Sequence, residues 1–106
     1  MIITTTFNVE GHKILEYKGL VRGIVVRTPT LGQGFMGGLK SIVGGRNQSY
    51  IVMCEQARNE ALEIMAQQAA EMGANAVVGV SYDAADLGGQ SGSAEILCYG
   101  TAVVIE

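Results

Sequence analysis

The stretch SYIVMCEQARNEALEIMAQQAAEMGANAVVGV, from Ser49 to Val80, decides the architecture. Laid out at about 100° per residue, Cys54, Ala57, Ala61, Leu62, Ile64, Met65, Ala69 and Met72 gather within roughly 80° of one direction. Glu55, Gln56, Asn59, Glu60, Glu63, Gln67 and Glu71 take the opposite side. This spacing predicts one long amphipathic helix from about Ser49 to Met72. Asn47 or Ser49 can accept the free N–H groups of its first turn, and Gly73 suits the left-handed position just past its end. The residues that follow, Ala76-Val77-Val78-Gly79-Val80, are apolar on both faces of an extended chain. They predict an interior strand from Ala74 to Tyr82.

Upstream, Ile14 to Arg27 alternates. Leu15, Tyr17, Val21 and Val25 fall on one side with Gly19 and Gly23, while Glu16, Lys18 and Arg22 fall on the other, which predicts a long strand. Its two glycines mark bends or places where another backbone packs closely. Thr28-Pro29-Thr30 ends it, because proline cannot donate to a ladder. Residues Met1 to Phe7, rich in Ile and Thr, predict a short first strand before the turn at Asn8 to Gly11. Phe35, Met36, Leu39, Ile42 and Val43 recur at spacings near three and four and predict a short helix from about Gly34 to Val43. Downstream, Asp83 to Ser93 reads as a polar connection and Ala94 to Ile105 as a last strand broken near Gly100. The element order is β-β-α-α-β-β. It predicts a single α+β domain over residues 1–106, with an antiparallel sheet of about four strands, one long helix and one short one.

Composition narrows the function. Hydrophobic residues make up 48% and charged ones 16% of the 106 residues, an apolar balance for a chain that buries only roughly 65% of its unfolded surface. Some of that apolar surface is expected to meet another subunit. A net charge of −3, with basic residues scattered rather than striped, argues against tracking nucleic-acid phosphates. No stretch approaches the roughly 18 apolar residues of a membrane span. The opening residues lack a basic, then apolar, leader, so a soluble cytoplasmic protein is expected. In that reducing compartment Cys54 and Cys98 read as free thiols.

Motifs for chemistry are sparse. Gly32-x-Gly34-x-x-Gly37 matches the bare dinucleotide pattern, but Pro29 separates it from the preceding strand and no acid closes a second parallel strand, so no nucleotide cofactor is assigned. The candidate metal donors are Cys54, Cys98 and His12, without the clustered spacing that zinc or copper sites use. Cys54 lies at the centre of the helix's apolar stripe and Cys98 between two apolar strand neighbours, so both read first as small buried hydrophobes. His12, in a turn, reads as exposed. Neither cysteine has a histidine nearby in sequence to activate it, and Gly-x-Ser-x-Gly is absent; no enzyme is predicted. Arg58, about 40° from the centre of the apolar face, is a candidate for an intersubunit ion pair, an anion contact or simple snorkelling. Arg46, four residues before Tyr50, invites the same readings.

Several segments together resemble the YbjQ-like family, whose family description is heavy-metal binding. They are Thr4-Thr5-Thr6, Glu16-Tyr17, Ile42-Val43-Gly44-Gly45-Arg46 with Tyr50, Ala57-Arg58, Gly73-Ala74-Asn75-Ala76-Val77-Val78-Gly79-Val80 and Gly100-Thr101-Ala102-Val103. The resemblance implies a dodecin-subunit-like α+β fold, a ring-shaped homopentamer and no established reaction. This chain departs from it at Lys18, where many relatives carry a cysteine. The combined expectation is a homo-oligomeric binding or scaffold protein, with Arg46, Tyr50 and Arg58 at a ligand site or interface. The alternative is an intersubunit heavy-metal site, and an enzyme of unknown reaction comes third.

Overall fold

A computed structural model describes residues 1–27, 48–86 and 93–106, with the side chains of residues 48–50 excepted. Its elements are β1 (Ile2–Ile3), β2 (Ile14–Arg27), α1 (Gln48–Glu71), β3 (Ala76–Asp86) and β4 (Ala94–Ile105). They form a four-stranded sheet in the order β1-β3-β4-β2. The short helix expected near 34–43 and the Gly32-x-Gly34-x-x-Gly37 pattern lie outside the described residues.

The sheet is mixed rather than antiparallel throughout. β2, β4 and β3 are antiparallel neighbours, but β1 lies parallel to β3, with Ile2 opposite Ala76 and Ile3 opposite Val77. The parallel alignment extends to Thr4, whose N–H donates to Val77 O at 3.0 Å; beyond it the order of partners reverses, with Gly79 N–H donating to Thr6 O at 2.8 Å and Val80 N–H to Thr4 O at 3.1 Å. The chain then turns back to enter β2 at Ile14. Val9 and Ile14 pack on Ala76, Val78, Val103 and Ile105, so the connection from β1 to β2 forms a strap over one face of the sheet.

The helix covers the opposite face through a narrow row. Ala57, Ala61, Met65 and Ala69 are all fully buried against Val21, Val25, Val77, Ile96 and Cys98. Their i, i+4 spacing makes the contact drift about 40° around the helix per step. Cys54, Ile64 and Met72, which share the average direction of the stripe, each miss this drifting row and are exposed. The expectation of a buried Cys54 is therefore corrected. Small residues let the backbones meet: a Cβ on Gly23 would lie 2.8 Å from Met65 N and closer still to Ala61 O. Gln68 Oε1 accepts the N–H of Arg22 at 2.8 Å, and Arg27 pairs with Glu60 at 2.6 Å, fixing the helix along β2.

The helix ends as its sequence suggests. Gly73 has φ +86°, its N–H donates to Ala70 O at 3.0 Å, and Ala74 N–H donates to Ala69 O at 3.0 Å. Those two bonds satisfy the last carbonyls in a Schellman arrangement. β2 departs from simple alternation, because register shifts beside Leu15 and Lys18 interrupt its ladder with β4. Leu15 and Tyr17 consequently face solvent, and alternation holds only from Leu20 onward, with Val21, Gly23 and Val25 buried. β3 runs on to Asp86, so residues 83–86 are strand rather than connection.

Candidate functional site

Among the described residues, those singled out by sequence do not converge on one centre. Arg46 lies outside the described residues. Tyr50 falls in the first turn of α1. Arg58 is exposed on the same helix, where its charge is close enough to the Tyr82 phenol to act on it, as is that of Glu55. The Tyr82 pKa is raised, first by partial burial and then by Cys98, with Arg58 opposing. Arg58 and Glu55 therefore flank a half-exposed tyrosine that sequence reasoning had not marked. Its register partner across the sheet is Cys98, and that pairing carries no local sequence signal.

Cys98 is fully buried and donates its S–H to Met65 Sδ at 3.7 Å. Burial pushes its thiol up, partly offset by a hydrogen bond from Tyr82. A thiol held protonated by an apolar setting is neither a ready nucleophile nor a free ligand. Cys54 stands alone on the outside of α1. His12 is exposed, and its Nδ1 lies 3.0 Å from Glu106 O; the carbonyl can only accept, so this nitrogen carries the proton. It ties the strap to the end of β4, beside Glu106 N–H to Lys13 O at 2.9 Å.

Asn75 performs the most specific polar task. Its side-chain nitrogen donates to Ile105 O at 3.0 Å, and its oxygen accepts from Ile105 N–H at 2.7 Å. The amide thus imitates a strand neighbour and closes the end of β4. Gly79, with φ +63°, forms with Val80 a bulge opposite Gly100. A Cβ on Gly79 would lie 3.0 Å from the Phe7 ring, and one on Gly100 would lie 2.8 Å from Val77 Cγ1. Gly73, Asn75, Gly79 and Gly100 all serve the backbone. An open groove of about 280 Å³ runs along Arg22, Ile64, Gln67, Gln68 and Glu71, with no histidine or cysteine in its lining. No described helix is long and apolar enough to cross a membrane.

A crystal structure of a protein of unknown function from Pediococcus pentosaceus, assigned to the DUF74 family, matches the fold at a TM-score of 0.66. It is 18% identical and covers 100% of this chain and 98% of its own. Proteins called UPF0145 from Francisella philomiragia and Legionella pneumophila are 54% and 53% identical over 105 residues, spanning 99% of this chain and 99% and 98% of theirs. The family model described as "Putative heavy-metal-binding" matches residues 1–106. The chain belongs to the YbjQ family.

Proposed function

We propose that this protein is a homo-oligomeric cytoplasmic binding or scaffold protein that carries out no chemical step of its own. The observation that carries the proposal is the bare half of the outer sheet face. Leu20, Ile24 and Val26 of β2 are 63%, 48% and 56% exposed, and Tyr99 of β4 beside them is 37% exposed. They share one face of the sheet, with the exposed Arg22 between Leu20 and Ile24. A water-facing patch of this kind marks an interaction surface, and a second copy is the partner that every molecule of the protein meets. The Cα radius of gyration, 17.0 Å, supports the same reading, since a compact domain of this length would have about 13 Å. The family resemblance favours a ring of five. Any ligand pocket then belongs between copies, near Arg58 and the segment that bears Arg46 and Tyr50. Two unpaired thiols suit a reducing compartment.

Sedimentation equilibrium at micromolar concentration tests the proposal. Wild-type protein is expected to sediment as a multiple of the chain mass, and Ile24→Asp as a lighter species with unchanged far-ultraviolet circular dichroism. A stable wild-type monomer at that concentration overturns it.

A further inference from the structure

We infer that no single chain of this protein holds a divalent metal ion of the zinc, cadmium or copper kind, and that the family description does not extend to such a site within this subunit. The argument begins with the donor inventory. The chain contains one histidine, two cysteines and ten carboxylate side chains. Residues 28–47 and 87–92 contain none of these types, so every such donor is among the described residues. No three of them come together. Zinc and its heavier relatives take three or four thiolate, imidazole or carboxylate ligands from the protein, and that number is not met anywhere in one subunit.

The donors that remain are occupied or isolated. His12 donates Nδ1–H to the backbone oxygen of Glu106 and keeps its Nε2 lone pair, but no two further donors of these types join it. Cys54 is exposed on the outer side of α1, whereas Cys98 is buried beneath the helix, so the thiols occupy opposite environments. Cys98 meets one further soft donor, Met65 Sδ at 3.7 Å. A divalent ion placed there would gain one thiolate and one neutral thioether. One positive charge would remain uncompensated among Val21, Val25, Val77 and Ala102, which bury the same core. An unpaired charge in that setting costs far more than a soft contact returns. The glycines and Asn75 of the family signature supply no donor side chain to such a site either, because their described roles are to turn the chain and to close β4.

The test is equilibrium dialysis of chelator-stripped, full-length protein against Zn(II), Cd(II) and Cu(II), each at micromolar concentration. Bound metal is counted by mass spectrometry and the unfolding midpoint is measured with and without each ion. Wild-type protein is expected to retain fewer than about 0.1 ion per chain and to show no rise in midpoint, since an ion that binds only the native state would raise it. Metal bound by the assembled wild type but lost from the lighter Ile24→Asp species also supports the inference, because the donors are then shared between copies, up to one site per chain in a closed ring. One ion per chain that the lighter Ile24→Asp species retains, with a raised midpoint, overturns it. Loss of that ion in Cys98→Val, Met65→Leu or His12→Ala would identify the residues responsible. Sedimentation of the same stripped samples reports association independently, so failure here and failure of the oligomer are separate results.

Discussion

From Ile14, Ala76 and Ile105 at one end to Arg27, Asp86 and Ala94 at the other, the same three long strands pass through two environments. In the first half both faces of β3 and β4 are covered. Val77 and Ala102 lie beneath the helix, while Ala76, Val78, Val103 and Ile105 lie beneath the strap. In the second half the helix face is still filled, by Val25, Ile96 and Cys98, but the outer face presents Ile24, Val26 and Tyr99 to solvent. Side-chain chemistry hardly differs between Val78 and Ile24. Among the described residues, what differs is the supply of chain, because the strap between β1 and β2 reaches only half the sheet. Apolar residues beyond its reach are therefore better read as surface for another copy than as a defect of the core.

A matched pair of substitutions breaks or sharpens this comparison. Val78→Asp buries a carboxylate where the native side chain is 3% exposed, and a loss of about 4 kcal/mol or more in urea unfolding is expected. Ile24→Asp, on the same face in the other half, is expected to leave the isolated chain's stability within about 0.5 kcal/mol. Equal losses in the two monomers would show that the halves are not different. Gly23→Ala comes next, since its Cβ would meet the helix backbone at Ala61 and Met65; a loss of about 3 kcal/mol is expected, and a neutral result would mean that the helix does not sit so close. Asn75→Ala has the smallest predicted loss of the three destabilising substitutions. Removing both bonds to Ile105 should cost about 1–3 kcal/mol, with hydrogen exchange quickened at Ile105 but not at Cys98.

Much of this fold is readable without coordinates, for reasons tied to punctuation. β2 and β4 occupy the predicted spans Ile14–Arg27 and Ala94–Ile105, the first ending just before Thr28-Pro29. The helix lies within one residue of its predicted limits because Gly73 supplies an unambiguous stop. Packing was less legible. A fixed-direction helical projection counts Cys54 as buried, but helix and strand meet along an i, i+4 row that leaves that direction. Alternation counts Leu15 and Tyr17 as inward, but register shifts reset the strand beside them. Asp83 and Asp86 suggest a loop, yet pairing of β3 with Leu97 and Ala94 holds them extended. The parallel placement of β1 depends on contacts with residues more than seventy positions away.

The candidate site was less legible than the fold. Burial of Cys98 and exposure of His12 follow from their neighbours in sequence, whereas the proximity of Tyr82 to Arg58 and Glu55 requires the register of β3 against the helix. Asn75 stood within a recognised motif without a role, and two hydrogen bonds to Ile105 give it one.

The hydrogen bond from Arg22 N–H to Gln68 Oε1 also constrains how copies can meet. A neighbour extending the sheet by adding a strand along β2 would need the same N–H, and would have to expel the glutamine and lift that part of α1. At that position the chain is closed to edge-on growth. Contact through the flat outer face leaves the plug in place, favouring assemblies of defined size over open-ended ribbons.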